Sequence, residues 1–434
     1  MRRLRLALLV LVAAALALGA LLWQLNYGDG VDVGRDEPLS GDAATRVARG
    51  AYLARIGNCL ACHTARGGAP GAGGLPLATP FGTLYSSNLT PDAQAGIGRW
   101  SAAAFWRALH HGRSADGHLL YPAFPYTHTT LLTRVDADAL LAYLRTLPPS
   151  PAQPPAHELR WPYSTQAALA VWRALYFRPA SFVPDPARAP AWNRGAYLVR
   201  GVAHCSACHG ARNAWGGADW DRLDGGLMRA QGWYAPSLLD PREAGVADWP
   251  ADDVMRLLAT GQARAGSAAG PMAEVVLHGT QHLNDADLGA ITSYLQALPG
   301  ALAPAAAPAS AAAPPAPSRL AASGQQVYDK QCADCHGRQG EGVPAVFPAL
   351  AGNRAVALAH TENLLQAVLY GGYGAATAGH PRPYGMPPFT LALTDSEIAA
   401  VLTYIRASWC NRAAEVSPLD VHRMRAAMAQ TVPP

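Results

Sequence analysis

Cys59-Leu-Ala-Cys62-His63, Cys205-Ser-Ala-Cys208-His209 and Cys332-Ala-Asp-Cys335-His336 repeat one pattern, Cys-x-x-Cys-His, three times in a chain of 434 residues. Two thiols three residues apart can add to the two vinyl groups of one porphyrin, and the imidazole that follows then reaches the iron. The pattern predicts three covalently bound haem c groups. Cys59, Cys62, Cys205, Cys208, Cys332 and Cys335 would be the attachment points, and His63, His209 and His336 the proximal iron ligands. A structural zinc site needs about four ligands, usually in paired knuckles, and three distant copies leave one without a mate. A thioredoxin-type redox pair would occur once, in an α/β pattern, with no histidine after it.

The repeat extends beyond the cysteines. Arg49-Gly-Ala-Tyr-Leu53 precedes the first motif, Arg194-Gly-Ala-Tyr-Leu198 the second and Ser323-Gly-Gln-Gln-Val-Tyr328 the third. Each reads as a helix leading into its cysteines. Thr133-Arg-Val-Asp136, Asn284-Asp-Ala-Asp287 and Thr394-Asp-Ser-Glu397 each read as an N-cap with an acidic residue at the third helical position. Apolar helices follow over Ala139 to Leu147, Leu288 to Leu298 and Ile398 to Trp409, with Tyr143, Tyr294 and Tyr404 at matching places as core packing. The fold expected is mainly α, each unit pairing an N-terminal with a C-terminal helix across its cofactor.

Half of the residues are apolar and 15% are charged, and the net charge of +4 is scattered along the chain. No basic block suits a phosphate backbone, so nucleic acid is not an expected partner. Arg2, Arg3 and Arg5 precede an uncharged apolar run from Leu6 to Trp23, followed by a polar stretch. This is an export signal, read as an uncleaved anchor with its basic flank in the cytoplasm; the alternative is a signal peptide cut after Ala17 or Ala20. Either delivers the rest of the chain to the periplasmic side of the cell inner membrane.

The expected divisions are a signal or anchor over 1–28, haem domains over 43–148, 189–299 and 319–410, a proline-rich but packed linker over 149–188, an alanine-proline linker over 300–318 and a tail over 411–434. Ala167 to Phe177 reads as one short helix within the first linker.

The residue on the far face of each iron largely sets its potential, and methionine raises it. Met386, in the proline-stiffened Tyr384-Gly-Met-Pro-Pro-Phe389, is the candidate for the third haem. Met272, in a loop, is the candidate for the second, with Met228 and Met255 as rivals. No methionine lies between Met1 and Met228. Phe124 occupies the place of Met386 in the first unit, and His128, four residues on, is the candidate sixth ligand; His110, His111, His118 and an open iron are the alternatives.

Thr79-Pro-Phe-Gly-Thr83, Ser87-Asn-Leu-Thr-Pro91, Gly96-Ile-Gly-Arg-Trp100, Leu120-Tyr-Pro-Ala123, Trp192-Asn-Arg-Gly-Ala-Tyr-Leu198 and Gly270-Pro-Met-Ala-Glu274 together resemble the triheme cytochrome c subunits of periplasmic membrane-bound dehydrogenases, the group that serves alcohol and gluconate dehydrogenases. The resemblance spans Ala43 to Trp409 and implies three class I cytochrome c-like haem domains in tandem after an N-terminal membrane segment. It also implies a catalytic dehydrogenase subunit as electron donor, and ubiquinone or another respiratory carrier as acceptor. The alcohol dehydrogenase type carries methionine where Phe124 stands. The Phe-Pro-Tyr-x-His form is more similar to cytochromes paired with molybdenum hydroxylases such as nicotinate or isoquinoline oxidoreductases. Cys410 stands where that family leads one to expect glycine; it reads either as a link to a partner or, preferably, as a buried inert thiol.

An electron-transfer subunit accounts for these features. The alternative is a stand-alone haem enzyme acting on a small molecule at an open iron, but the chain shows no flavin or nicotinamide fingerprint and no recognisable nucleophile or general base. With histidine on both faces, the first haem should titrate at a lower potential than the other two, which a spectroelectrochemical titration resolves.

Overall fold

The computed structural model describes residues 2–33, 39, 41–300, 319–344 and 346–429. The expected alanine-proline linker therefore lies outside the described residues, apart from Gly300. The described chain is mainly helical, with four small antiparallel sheets.

One unit holds residues up to Val183 together with Arg200–His204 and Asn213–Trp220. Helix α1 (Arg2–Tyr27) is long and apolar enough to cross a membrane, and Asn26 is its buried residue. Helix α2 (Ala43–Ile56) starts at Asp42, whose carboxylate accepts from Thr45 N at 2.8 Å, and leads into the short α3 (Cys59–Cys62). Strands β1 (Pro76–Thr79) and β2 (Gly82–Tyr85) form a hairpin, and β3 (Glu158–Leu159) adds to β2. Helix α4 (Ala102–His111) runs between the Ser101 cap and Gly112 in the left-handed region (φ 59°), where glycine ends a helix without strain. The short α5 (Tyr126–Thr129), α6 (Arg134–Leu144) and α7 (Gln166–Tyr176) follow.

The second unit holds Pro184–Val199, Cys205–Arg212 and residues from Asp221 onward. Its first half comprises α8 (Pro190–Tyr197), α9 (Ser206–His209), the hairpin β4 (Gly226–Met228) with β5 (Trp233–Ala235), α10 (Ala251–Thr260), the hairpin β6 (Gln262–Ala263) with β7 (Gly266–Ser267), α11 (Pro271–His278) and α12 (Asp285–Gln296). Its second half comprises α13 (Arg319–Gln331), α14 (Ala333–His336), α15 (Arg354–Ala357), α16 (Glu362–Tyr370), β8 (Gly372–Tyr373) paired with β9 (Gly385–Met386), α17 (Asp395–Ala407) and α18 (Pro418–Ala429).

Three helix pairs, α2 with α6, α8 with α12 and α13 with α17, are the most extensive packings. Each crosses at a glycine of the repeated motif. A Cβ on Gly50, Gly195 or Gly324 would run into the carbonyl of Ala139, Ala290 or Ala400, and would stand 2.8, 2.8 or 2.9 Å from Cβ of Tyr143, Tyr294 or Tyr404. No larger residue permits that approach, so the glycine within each N-terminal helix is a packing requirement. The C-terminal helices begin earlier than their apolar faces suggest, directly after Thr133, Asn284 and Thr394, whose side chains each accept the backbone N–H three residues on. The caps expected from the sequence mark these starts where hydrophobic periodicity alone does not, because the first turn is polar.

The acid at the third position has two fates. Asp136 pairs with Arg49, and Asp287 takes a two-point bond from Arg194 at 2.7 and 2.8 Å, tying the two helices together. In the third pair, Ser323 stands in the arginine's place, and Glu397 turns back to its own N-cap, completing a capping box.

The stretch expected as a tail is folded. Val416, Val421 and Met424 join the core of Leu365, Leu369, Ile398 and Leu402. The buried Arg406 fixes the chain there, donating to the carbonyls of Ala414, Val356 and Leu358 at 2.7 to 2.8 Å. Cys410 is exposed, which corrects the expectation of a buried thiol: it lies past the end of α17, directly after Trp409, whose φ of 58° breaks from helical backbone. Gly324→Ala should destabilise the third helix pair by about 1–3 kcal/mol, read as a lower guanidinium midpoint for the unfolding phase that includes Trp409.

Candidate functional site

The three cysteine motifs share one local geometry. Each forms a single helical turn at the end of its N-terminal helix, and the histidine closes that turn. The Nδ1 atom of His63 lies 2.7 Å from Ser87 O, that of His209 2.7 Å from Pro236 O, and that of His336 2.9 Å from Pro348 O. A carbonyl oxygen only accepts, so Nδ1 must carry the proton, and the Nε2 lone pair remains for a metal. Burial lowers the pKa of all three imidazoles, with the carbonyl bond opposing in part, so the rings stay neutral as ligation requires.

The cysteines fit covalent attachment better than metal or disulfide chemistry. None of the seven is joined in a disulfide. Burial, reinforced by the neighbouring thiol, pushes Cys59 and Cys205 up to about 12 and Cys332 up to about 11. A reactive redox pair depends on the opposite shift, toward thiolate, and among the described residues no group of three or more His, Cys, Asp or Glu side chains is placed to hold a zinc ion. The residues present therefore suit a c-type haem: two thiols outside any disulfide, then an imidazole with its Nδ1 already committed.

The carbonyl acceptors are the part that sequence reading missed. Ser87 belongs to the Ser-Asn-Leu-Thr-Pro motif, and its neighbour Asn88 anchors that loop by donating to Ser150 O (2.8 Å) and Ala152 O (3.0 Å) while accepting from Thr90. Pro236 follows β5. There Asn363 of α16 bridges both backbone groups of Tyr234 at 2.8 Å, and Glu243 receives Ser237 N (2.6 Å) and Tyr234 Oη (2.9 Å). The second motif's histidine is thus held through a short stretch that α16 clamps.

The first two motifs are also entered through strain. Asn58 (φ 50°) and His204 (φ 42°), each just before the first cysteine, occupy the left-handed region, which for such residues costs about 1–3 kcal/mol. The third motif continues directly from α13 with no such residue.

The far-side candidates fall as follows. Met386 ends β9 and packs against the core cluster that includes Leu365 and Val368. Met272 lies in the first turn of α11, not in a loop, because Gly270 and Pro271 start the helix before it. It packs with Ala273, Val276 and Ala375, so the segment leading to Met386 reaches the turn that carries Met272. Of its rivals, Met255 lies within α10 and Met228 ends β4. His128 lies in α5, almost fully buried, with Nδ1 3.0 Å from Thr127 Oγ1 and its ring 5.4 Å from Trp220 and 6.2 Å from His204. His204, a residue the sequence did not single out, has its Nε2 3.2 Å from Gly57 O, two residues before Cys59. His110 and His111 end α4, where the His111 carbonyl accepts from Arg173; His118 is exposed beside Asp116.

Comparison with known proteins agrees with this chemistry. The cytochrome c family model matches residues 47–148 and 321–409. The cytochrome c subunit of quinone-dependent alcohol dehydrogenase from Gluconacetobacter polyoxogenes is 38% identical over 87% of this chain and 84% of its own. The gluconate 2-dehydrogenase cytochrome c subunit of Pantoea cypripedii is 36% identical over 87% and 89%. A nicotinate dehydrogenase subunit from Pseudomonas putida is 41% identical over 84% of this chain and 30% of its own. The chain is a c-type cytochrome and belongs to the family of cytochrome c subunits of bacterial dehydrogenases.

Burial, then the charge of His110, lowers His111 from 6.5 to about 4. Its folded pKa is below the unfolded value, so the native state is favoured at neutral pH and loses that advantage as pH falls from about 6.5 toward 4. Denaturant midpoints over this range should fall for the native chain and fall less steeply for His111→Gln.

Proposed function

We propose that this protein is a triheme electron-transfer subunit that carries electrons from a periplasmic catalytic dehydrogenase subunit to ubiquinone or another respiratory carrier. The observation that carries the reading is the threefold repetition of a neutral histidine whose Nδ1 is fixed by a carbonyl, directly after two thiols held outside any disulfide. A haem c on each motif would supply reversible one-electron iron chemistry. The protein's part is to orient the ring, exclude water from it and tune its potential.

In this reading, 43–148, 189–299 and 319–410 are the haem domains, and His63, His209 and His336 are the proximal ligands. Met272 and Met386 complete the second and third irons, and His128 the first. Methionine holds two potentials high, and an imidazole pair holds the first lower. The electron donor is of the alcohol or sugar dehydrogenase type or of the molybdenum hydroxylase type. Phe124 and His128, together with the similarity to the nicotinate dehydrogenase protein, favour the second. Helix α1 anchors the chain in the cell inner membrane with the haem domains on the periplasmic side.

Haem quantification of the purified full chain should give three per polypeptide. Substrate plus the cognate dehydrogenase should reduce all three, and failure of every dehydrogenase encoded beside it to do so would overturn the subunit reading. Met386→Ala should lower one potential and slow quinone reduction while leaving haem content at three; His128→Ala should change one low-spin signal in the electron paramagnetic resonance spectrum.

A further inference from the structure

Helix α7 lies in the stretch between the first and second cysteine motifs, and the chemistry proposed above gives it no role. Its sequence, Gln166-Ala-Ala-Leu-Ala-Val-Trp-Arg-Ala-Leu-Tyr176, holds one charged residue, Arg173, and that side chain is buried. The outward stripe is Ala167, Val171 and Leu175, spaced four apart on one face, with Val171 43% and Leu175 63% exposed. Exposed aromatics lie beside α7, one bonded to it and two just before it in the chain. Trp215 offers its carbonyl to Trp172 Nε1 at 2.9 Å, while its own ring is 63% exposed. Trp161 is 82% exposed, and Tyr163 packs on Phe81. Arg160 and Arg178 flank the stretch. Single exposed apolar residues are ordinary, but a helix face without any charge, bordered by indoles, marks an interaction surface.

The occupant follows from what α7 is bonded to. Asn26, at the end of α1, donates to Ala170 O (3.1 Å) and accepts from Arg173 Nε (2.9 Å). Arg173 also donates to the carbonyls of His111 and Gly112, and its guanidinium sits 4.9 Å from the centres of the Tyr126 and Phe177 rings. Just past α1 the tie is repeated: Arg113 pairs with Asp29 at 2.6 Å and lies over Tyr27. The end of α1 is therefore fixed to the domain, not joined to it by a loose tether. A bilayer core is about 30 Å thick and a helix rises 1.5 Å per residue, so an uncharged run from Leu6 to Leu25 fills the core and leaves Asn26 at the interface. Ala170 and Arg173, bonded to Asn26, share that depth, and Val171 and Leu175 lie within about one turn of it.

We propose that α7, with Trp161, Tyr163 and Trp215, is an interfacial platform that rests on the periplasmic leaflet and sets the height and orientation of the first haem domain above the membrane. The proposal rests on the reading of α1 as a retained anchor. The apolar stripe enters the boundary between headgroups and acyl chains, the aromatic rings occupy the interface where amphipathic rings concentrate, and the flanking arginines meet lipid phosphates.

The test uses the full-length, haem-loaded protein in nanodiscs of phosphatidylethanolamine and phosphatidylglycerol doped with a lipid bearing a diazirine near the top of its acyl chain. After illumination, adducts are mapped by mass spectrometry, and intact mass reports whether α1 is present. Adducts within 161–177 as well as on α1, with none on the peptide containing the exposed Val135, support the platform. Val171→Glu/Leu175→Glu should reduce the 161–177 adducts about tenfold, because carboxylates are strongly disfavoured at that depth, and leave α1 adducts and haem content unchanged. An intact α1 with adducts on α1 alone overturns the platform and leaves the anchor standing. A mature chain lacking α1 but labelled in 161–177 overturns the anchor and leaves the lipid-facing surface standing, whereas a chain lacking both overturns both.

Discussion

Close contact between two helices at a glycine is the constraint on which the rest of this structure depends. At Gly50, Gly195 and Gly324 the backbone of an N-terminal helix meets the carbonyl face of a C-terminal helix, with a tyrosine Cβ closing the contact. The cysteine motif begins a few residues beyond each crossing, and the C-terminal helix begins a few residues before it. One contact therefore fixes both where the thiols emerge and where the loop ahead of the last helix returns. Because interiors are densely packed, a single added methyl at such a point is felt by the whole pair.

On that frame each histidine is held by a carbonyl from a loop that is itself secured, and the securing differs among the three. Asn88 pins the first loop to residues 150 and 152, and Asn363 clamps the stretch leading to the second. Beyond Pro348, Asn353 and Asn411 hold the third by donating to the carbonyls of Ala349 and Leu350. The shared geometry is the bond itself, made by main chain, so it tolerates different side chains around it. Such outer contacts orient a ligand and tune its basicity.

Buried arginines do comparable work away from the motifs. Arg406 gathers three carbonyls and so holds the chain that leads to α18 against α17 and α15, and Arg173 gathers the end of α1, the end of α4 and α7. A guanidinium can satisfy several carbonyls in different directions at once. In sequence neither arginine stands out, because what distinguishes it is burial among backbone acceptors from distant segments.

The motifs, the repeat, the helix caps, the apolar N-terminal run and the short helix in the first linker were legible in the sequence, because each depends on residues a few positions apart: thiol spacing, an unbroken apolar run, an N-cap three residues from its acid. Ser87, Pro236 and Pro348 as acceptors, the folding of residues 411–429 and the joining of Asn26 to Arg173 were decided only by tertiary structure. Each is a meeting of segments far apart in the chain, made through main-chain carbonyls or through burial. Every residue carries the same carbonyl, and the sequence holds no mark of which one a histidine or an arginine will find.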